Sequence, residues 1–269
     1  MLKFELNREF CEFYGVLIGD GCLSSFRISS GKQHYEIRID GNADTDYFYY
    51  LYFLLPLIKK VFDKAVRINF RKDCNGIFVR FKHKQLALFL NKELNFPFGK
   101  KKNIAIHEKI LNDDKKILNV LRGIFDTDGC LYFTKNNSKK RSYPIIEIST
   151  HSKFLLDQLA TLLPKFGFKT KISFFYDAVK LHGKKNLKIW MRLIGTHHID
   201  KMSKYVFWKK FRYCPEITEL NFEKRINYLD WARSLVRLER RACEDDIFQA
   251  RKSYMRFLDT TNKNPRTLG

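Results

Sequence analysis

The chain has 269 residues, of which 45% are hydrophobic, and it carries a formal net charge of +22. This length predicts one large or two modest domains with a substantial core, and such an excess of Lys and Arg indicates a polyanionic partner. The six cysteines form no regular framework, so we expect reduced thiols in an intracellular protein that is not secreted. The start of the chain mixes charged and apolar residues too closely for a signal peptide, and the apolar run at 47–58 is too short to cross a bilayer, so no membrane partner is expected.

The predicted elements follow one another in an order that occurs twice. A helix ending at 20–21 precedes strands at 26–29 and 35–40, a helix at about 44–62, strands at 66–71 and 77–82, and a short helix near 85–94. A second such helix ends at 128–129. It is followed by strands at 131–135 and 145–150, a helix at about 153–166, strands at 169–175 and 187–193, and a helix at about 199–211. The repeated order helix-strand-strand-helix-strand-strand-helix predicts an α+β protein.

This repeat sets the predicted domain limits. The first repeat takes residues 1–96 and the second takes residues 114–211, with a lysine-rich linker at 97–113 between them. Residues 212–269 fall outside the repeat, and their composition predicts a C-terminal helical extension. Asn7 is the expected N-cap of the first repeat's opening helix, and Asp113 or Asp114 that of the second.

The opening helices of the two repeats end in matched motifs, FYGVLIGDG at 13–21 and LRGIFDTDG at 121–129. Gly15 and Gly19 lie four residues apart on one helical face, and Gly123 and Thr127 hold the equivalent places. Because Gly costs about 1 kcal/mol relative to Ala inside a helix, its presence calls for a reason. Small residues at this spacing let two helix backbones approach closely, so we expect the two motif helices to pack side by side.

Such packing brings together the carboxylates that end the two motifs, Asp20 and Asp128. We expect Gly21 and Gly129 to end the helices in the left-handed conformation. Two carboxylates at close quarters repel each other, and the C-terminal end of a helix is unfavourable for an anion. A divalent cation removes both conflicts and supports phosphodiester hydrolysis. A single Asp-Gly pair is usually only a turn or a cap, but two copies in a repeated architecture favour a shared metal site.

The two motifs, their spacing and the order of elements resemble the LAGLIDADG homing endonucleases, in the single-chain branch that carries two motifs. The second motif matches well, whereas the first has Tyr14 where Ala is usual and Ile18 where Asp is frequent. The resemblance implies two αββαββα halves related by pseudo-two-fold symmetry, with the motif helices at the centre and antiparallel DNA-binding sheets. It also implies an intron-encoded, site-specific endonuclease that cleaves both strands of double-stranded DNA by metal-dependent hydrolysis.

The resemblance further implies the identity of the site residues. Asp20 and Asp128 would be the metal ligands, with Gly19 and Thr127 beside them in the metal site. Two or more Mg²⁺ ions would bind together with DNA, with Mn²⁺ able to substitute and Ca²⁺ able to bind without cleavage. The family often has a lysine near the site beyond the last helix of each half. We select Lys102 from the run at 100–102, and Lys210 from the pair at 209–210.

Alternation along the strands predicts which side chains face the nucleic acid. Arg reads guanine and Asn reads adenine in the major groove, so a basic sheet face can discriminate sequence. An ordinary solvated face explains any one strand equally well, but it explains several basic strands poorly. The predicted contacts are Arg27, Arg38, Arg67, Asn69, Arg71, Arg80 and Lys82 in the first repeat, and Lys169, Lys171, Lys188, Trp190 and Arg192 in the second.

The extent of these faces predicts the length of the target. A strand of 8–10 residues spans roughly 30 Å, so two sheets cover about 18–20 base pairs. The outward residues of the two repeats differ, and we therefore expect a non-palindromic site that the protein reads as a monomer.

Two other functions remain open on the same fold. One is an intron RNA maturase, in which case RNA is a partner and both aspartates can be retained. The other is a catalytically silent DNA-binding regulator, against which the retention of both aspartates argues. An intein is not expected, because the chain lacks a terminal His-Asn junction.

Overall fold

The computed structural model describes residues 4–136, 139–173, 177–216 and 224–225. The first repeat has the predicted order of elements. Its elements are helix α1 (Arg8–Asp20), strands β1 (Gly21–Arg27) and β2 (Gln33–Asn42), helix α2 (Ala43–Tyr49), a π-helical turn (Tyr50–Leu54), helix α3 (Leu55–Phe62), strands β3 (Asn69–Phe70) and β4 (Gly76–Lys82), and helix α4 (Lys84–Leu94).

A short helix, α5 (Glu108–Leu111), leads into the second repeat. The elements that follow are helix α6 (Asp114–Asp128), strands β5 (Gly129–Thr134) and β6 (Tyr143–Ser149), helix α7 (Lys153–Lys165), strands β7 (Thr170–Ser173) and β8 (Ala178–His182), and helices α8 (Gly183–Leu193) and α9 (Ile199–Phe211). Most of the predicted C-terminal extension lies outside the described residues, so that expectation stays a prediction.

Each repeat folds into a four-stranded antiparallel sheet. The strand orders are β1-β2-β4-β3 and β5-β6-β8-β7, so the two sheets have the same topology. In the first sheet Leu23, Ile37 and Phe81 stand opposite one another and are buried against the helices. Since neighbours along a strand point to opposite faces, the paired Arg38 and Arg80 lie on the other face. The predicted α+β fold with two antiparallel sheets is confirmed.

Helices α1 and α6 pack against each other at the centre of the molecule, as predicted. A Cβ atom on Gly15 would lie 3.1 Å from the Cα of Gly123, and one on Gly123 would lie 2.7 Å from the backbone nitrogen of Val16. These distances leave no room for a side chain at either glycine. The helices begin at the expected N-caps, where Asn7 accepts from the Phe10 N–H at 2.9 Å and Asp113 from the Lys115 N–H at 2.9 Å.

The strand predicted at 187–193 is wrong, because these residues belong to helix α8 and the strand is β8 at Ala178–His182. Trp190 is therefore not a DNA contact, since it is fully buried and its ring lies 4.8 Å from that of Phe125. Lys188 and Arg192 are exposed on this helix and not on the sheet. Apolar and polar residues alternate in this segment as they do in a strand. The buried residues, however, follow the three- and four-residue spacing of a helix, at Leu187, Trp190 and Ile194.

Gly21 and Gly129 do not adopt the predicted left-handed conformation. Their φ values are −81° and −87°, and each is the extended first residue of a strand. Their small size serves packing instead, because a Cβ on Gly21 would lie 2.5 Å from the Cα of Leu17. One on Gly129 would lie 2.8 Å from the Cα of Phe125. Glycine lets the chain turn from helix to strand without clashing with the preceding helical turn.

Two further elements differ from their predicted form. The helix expected at 44–62 is interrupted by the π-helical turn, which lies directly before Pro56 near the start of α3. Proline has no N–H to donate to the carbonyl four residues earlier, so a regular α-helix cannot continue through this position. The strand expected at 66–71 shortens to Asn69–Phe70, which leaves Arg67 outside it.

Candidate active site

The two motif aspartates meet where α1 and α6 end. A Cβ on Gly19 would lie 2.7 Å from the Cβ of Thr127 and 3.4 Å from the carboxyl carbon of Asp128, so the two helix ends are in direct contact. Asp20 is the last residue of α1 and Asp128 is the last residue of α6. The close approach of the small residues thus brings the two helix ends together, near enough for the charge of Asp128 to act on Asp20.

The electrostatics at this point are unfavourable for two ionised carboxylates. Burial, followed by the charges of Asp128 and Asp46, raises the pKa of Asp20 to about 7. Burial also raises the pKa of Asp128, against the opposing charges of Lys101 and Lys201. A divalent cation bound between the carboxylates would remove this cost, and two carboxylates are a donor set that Mg²⁺ accepts.

Two lysines cap the motif helices beside the aspartates. The Lys101 ammonium donates to the carbonyls of Leu17 at 3.1 Å, Ile18 at 2.8 Å and Gly19. These are C-terminal carbonyls of α1, and a cation at a helix C-terminus is favourable.

Lys201 does the same for α6, donating to the carbonyls of Phe125 and Asp126, the latter at 2.8 Å. Burial lowers the pKa of both Lys101 and Lys201, opposed by neighbouring carboxylates. The two lysines therefore occupy equivalent places in the two repeats.

The lysines at the ends of the motif helices are not the two that we selected from the sequence, Lys102 and Lys210. Lys102 is exposed, and its neighbour Lys101 is the residue that turns inward to the helix end. Lys210 lies in the last turn of α9, whereas Lys201 is in the first turn of that helix. The loop before Lys101 aligns poorly between the repeats, so sequence alone did not distinguish adjacent lysines.

Gly19 and Thr127, the other two residues expected in the metal site, already make hydrogen bonds within the protein. The Thr127 hydroxyl lies 2.9 Å from the Gly123 carbonyl and 3.0 Å from the Ile124 carbonyl, so its hydrogen is directed back into its own helix. The Gly19 carbonyl accepts from Lys101 and retains a second lone pair. Asp20 and Asp128 therefore fit a divalent cation best, with Gly19 and Thr127 lining the same place.

A cavity beside Asp20 contains residues that were not predicted. Asp46 and His198 line it together with Asp20, Thr127 and Gly129. A ring nitrogen of His198 lies 3.0 Å from Asp46, which joins α2 of the first repeat to the N-cap of α9 in the second. His198 precedes the first turn of α9, and no local sequence pattern relates it to a carboxylate so distant in the sequence.

The polar face of the first sheet carries most of the predicted basic residues. Asn69, Arg38, Arg80 and Lys82 share this face in the strand register. Arg71 follows β3 and reaches the same face by donating to Asp40 at 2.5 Å. Arg38 lies 4.4 Å above the ring of Phe78 and pairs with Asp40 at 2.7 Å. Arg27 pairs with Gln33 on the opposite face, so it does not line the same surface.

The second sheet presents a smaller basic face. Lys171 pairs in register with Lys180, which in turn stands opposite Glu147 at an ammonium–carboxylate distance of 3.1 Å. Lys180 was missed because β8 was predicted in the wrong place. Lys169 lies just before β7 and is exposed.

A buried ionic cluster lies beneath the aspartates at the interface between the repeats. Glu12 accepts from Arg122 at 2.8 and 2.7 Å and lies 2.6 Å from a ring nitrogen of His197. Asp126 accepts from the Thr196 hydroxyl and from the backbone N–H of His197 at 2.8 Å. Although Glu12, Asp126 and His197 are close enough to share a cation, their donors already satisfy them. We interpret this cluster as structural.

The chain is similar to known proteins in part of its sequence and in its fold. Residues 115–197 match the family model described as a LAGLIDADG-like domain. Mesophilic variants of the homing endonuclease I-DmoI superpose with a TM-score of 0.51 at 15% identity, over 70% of this chain and 90% of theirs. I-DmoI in complex with DNA and Mn has a TM-score of 0.50 at 15% identity, over 71% of this chain and 98% of that chain. The I-LtrWI LAGLIDADG homing endonuclease bound to target DNA has a TM-score of 0.42 at 13% identity, over 92% of this chain and 98% of that chain.

No curated protein matches the chain. Within the part of the chain that the structure describes, none of the helices has the length and apolar character needed to span a bilayer.

Proposed function

We propose that this chain, which contains a LAGLIDADG-like domain within the fold of the homing endonuclease I-DmoI, is itself a site-specific DNA endonuclease. It hydrolyses both strands of a long, asymmetric duplex site and depends on a divalent cation, Mg²⁺ in the first instance. The observation that carries this proposal is the meeting of Asp20 and Asp128 at the ends of the two central helices. Structures of I-DmoI in complex with DNA and with Mn or Ca support the same partner and the same class of cation.

The chemistry follows from the charges at this point. Asp20 and Asp128 would hold the cation between the two repeats, where both strands of a duplex lying across the pseudo-two-fold axis come within reach. A divalent cation supplies Lewis-acid stabilisation of the phosphate and lowers the pKa of water. In hydrolysis a water oxygen bonds to phosphorus, the bond to one sugar oxygen breaks, and that oxygen takes up a proton.

Lys101 and Lys201 hold the ends of α1 and α6 in place, and through them the two carboxylates. Each ammonium donates to backbone carbonyls of its own motif helix and remains close enough to the aspartates to interact with their charge. Both lysines therefore position the site, and they add positive charge where a scissile phosphate would lie.

The two basic sheet faces would bind the duplex. Arg80 and Lys82 of the first sheet and Lys171 of the second are exposed on the faces opposite the core. With about 6–10 phosphates neutralised, affinity should fall roughly 10³–10⁵-fold between about 50 and 200 mM salt. A nearly flat salt dependence would contradict an interface dominated by phosphate contacts.

Digestion of a randomised duplex library with Mg²⁺, followed by sequencing of the cut ends, tests the function. We expect one non-palindromic site of about 18–20 base pairs that is cut on both strands, and no cutting with Ca²⁺. A palindromic site, or one shorter than about 12 base pairs, would contradict reading by two unlike sheets. Absence of cutting together with stimulation of intron splicing would support the RNA maturase instead.

A further inference from the structure

Arg225 lies beyond both repeats in the sequence, yet its side chain is completely buried against the last helix of the second repeat. Its guanidinium donates to a carboxylate oxygen of Asp200 and, through Nε, to the hydroxyl of Ser203 at 3.1 Å. The Ser203 hydroxyl in turn donates to the backbone carbonyl of Asp200 at 2.7 Å. One arginine therefore holds the side chain of Asp200 directly and its backbone through Ser203, in the first turn of α9.

The turn that Arg225 holds also carries the lysine at the end of α6. Lys201 follows Asp200 directly, and its ammonium donates to two C-terminal carbonyls of α6. The N-cap of α9, His198, makes no capping hydrogen bond to the described residues of this turn. The turn therefore relies on other contacts, and a shift of its first residues would move the Lys201 ammonium away from the end of α6.

Two cations face the Asp200 carboxylate. Lys204 pairs with its second oxygen at 2.8 Å, opposite the oxygen that accepts from Arg225. Burial alone would raise the pKa of Asp200, but the charges of Lys204 and Arg225 outweigh it and the pKa is lowered. Asp200 and Lys204 line the cavity beside Asp20. Loss of one partner of a buried ion pair leaves a poorly compensated charge, so removal of Arg225 should disturb this wall of the cavity.

The equivalent lysine of the first repeat is held in a different way. Lys101 lies in a loop whose backbone is bonded to its own repeat, because the Gly99 N–H donates to the Leu23 carbonyl in β1 at 2.8 Å. The Ile104 N–H also donates to the Lys101 carbonyl at 3.3 Å. Backbone contacts thus hold the loop of Lys101, whereas a side chain from beyond both repeats holds the turn of Lys201.

We propose that Arg225 is a positioning residue of the nuclease, which fixes the first turn of α9 and thereby keeps the Lys201 ammonium at the end of α6. The segment after the second repeat is then a functional part of the active site and not an independent appendage. Arg225 contacts no DNA in this role, and it forms and breaks no covalent bond. The inference rests on the proposed endonuclease function and extends its site to a residue outside both repeats.

Single-turnover cleavage by the full chain with Mg²⁺, at saturating protein, tests this role. Arg225→Gln should slow the cutting of both strands by on the order of 10²-fold, as expected for a slightly misplaced group, because both strands depend on the same pair of aspartates. Duplex affinity in Ca²⁺ should stay close to wild type, since the buried Arg225 is not a phosphate contact. Ser203→Ala removes only the link to the backbone, and it should slow cutting in the same way but by less.

A combination with Lys201→Met separates positioning from a general loss of stability. Lys201→Met should itself slow cutting, and the addition of Arg225→Gln should slow it little further, because both changes take the same ammonium away from the end of α6. All rates are compared below the melting temperature of the least stable variant. Effects that multiply in the double variant would show that Arg225 does not act through Lys201, and they would overturn the proposal.

Glu216→Gln is the matched control. Glu216 also joins the segment after α9 to the second repeat, but its ion pair is with Arg141 in the loop between β5 and β6 and is partly exposed. Both strands should be cut at the wild-type rate by this variant. Slowing equal to that of Arg225→Gln, or wild-type cutting by Arg225→Gln, would overturn the positioning role and leave the nuclease intact. A wild-type chain that cuts no duplex DNA would overturn the proposed function and this inference together.

Discussion

Tyr14 and Arg122 occupy equivalent positions, each directly before the interface glycine of its motif helix. Each also reaches the segment that follows the repeat's sheet. The Tyr14 hydroxyl lies 3.5 Å from the Leu94 carbonyl at the end of α4, and Arg122 donates to the Ile194 carbonyl at 3.0 Å just after α8. The two repeats thus make the same connection, one with a neutral hydroxyl and the other with a guanidinium.

The same contrast continues along the motif helices. Glu12 and Asp126 are buried and hydrogen-bonded within the ionic cluster, whereas their equivalents, Val120 and Ile18, are buried and apolar. The sheet topology is therefore the same in the two repeats, while the side chains at equivalent positions are not. A single chain permits this difference, because each repeat can change without a matching change in the other. The two sides of the active site should consequently differ in stability, titration and sequence reading.

The largest effect should come from Asp20→Asn or Asp128→Asn, and it tests whether the two sides work independently. We expect either change to remove cutting of both strands by roughly 10²–10³-fold or more, because the carboxylates share one site. Duplex affinity in Ca²⁺ should change little, since neither aspartate is a phosphate-neutralising group. Asp63→Asn, at the exposed end of α3, is the control. A variant that still nicks one strand at the wild-type rate would show two independent sites.

A smaller effect is expected on the free energy of unfolding, and it should differ between the two motif helices. Arg122→Leu removes the guanidinium that pairs with the buried Glu12, and we expect a loss of about 3–5 kcal/mol in the free energy of unfolding by urea. Tyr14→Phe, at the equivalent position, should lose only about 0.5–1.5 kcal/mol. Equal losses would contradict the asymmetry of the interface.

The pH dependence of this cluster has a definite sign. Although burial raises the pKa of Glu12, its hydrogen bonds to His197 and Arg122 outweigh that effect and the pKa is lowered. The stability that Glu12 contributes is thus present above the normal pKa of a glutamate and is lost as the pH falls through the lowered value. Glu12→Gln should flatten the acid limb of the stability profile.

The sequence predicts this fold well because its signals are local and repeated. Glycines at helical spacing, strand alternation and N-caps such as Asn7 specify elements without knowledge of their neighbours. The central packing follows from Gly15 and Gly123, because glycine is unfavourable inside a helix and close contact between two helices explains its presence there. Repetition of the element order then relates the two halves to each other, and the pairing of Asp20 with Asp128 follows.

What the sequence does not predict depends on contacts between distant segments. His198 meets Asp46 only after both repeats have folded, and nothing near either residue marks the pair. Lys101 differs from Lys102 only in the direction in which the loop turns it. The segment 187–193 alternates as a strand does, and only the packing of Trp190 against Phe125 and Phe168 decides for a helix.

Titration should distinguish the two aspartates in the absence of metal. The pKa of Asp20 is raised to about 7, so between its unfolded value and pH 7 the folded state holds a proton that the unfolded state has lost. Stability therefore falls as the pH rises through this window. Asp20→Asn should raise the melting temperature at pH 8, and the gain should disappear towards pH 4. Asp128→Asn should give a smaller gain, because burial alone raises the pKa of Asp128, whereas the charges of Asp128 and Asp46 add to burial at Asp20. Equal gains would contradict the difference in their surroundings.

The smallest effect concerns how each sheet reads DNA. Arg80 lies on the exposed face of the first sheet with its guanidinium carbon 5.7 Å from the ring centre of Phe78, and a planar guanidinium can pair bidentately with guanine. Lys171 of the second sheet is exposed and acts more as a point charge. Arg80→Ala should therefore cost about 1–3 kcal/mol at one base pair of one half-site. Lys171→Ala should instead weaken binding to all sequences alike and reduce the salt slope by about 1.

Comparison of binding to single-base variants of the selected site, at two salt concentrations, separates these effects. Loss of base preference from Lys171→Ala, or a uniform loss from Arg80→Ala, would show that the two sheets do not divide the reading as their side chains predict.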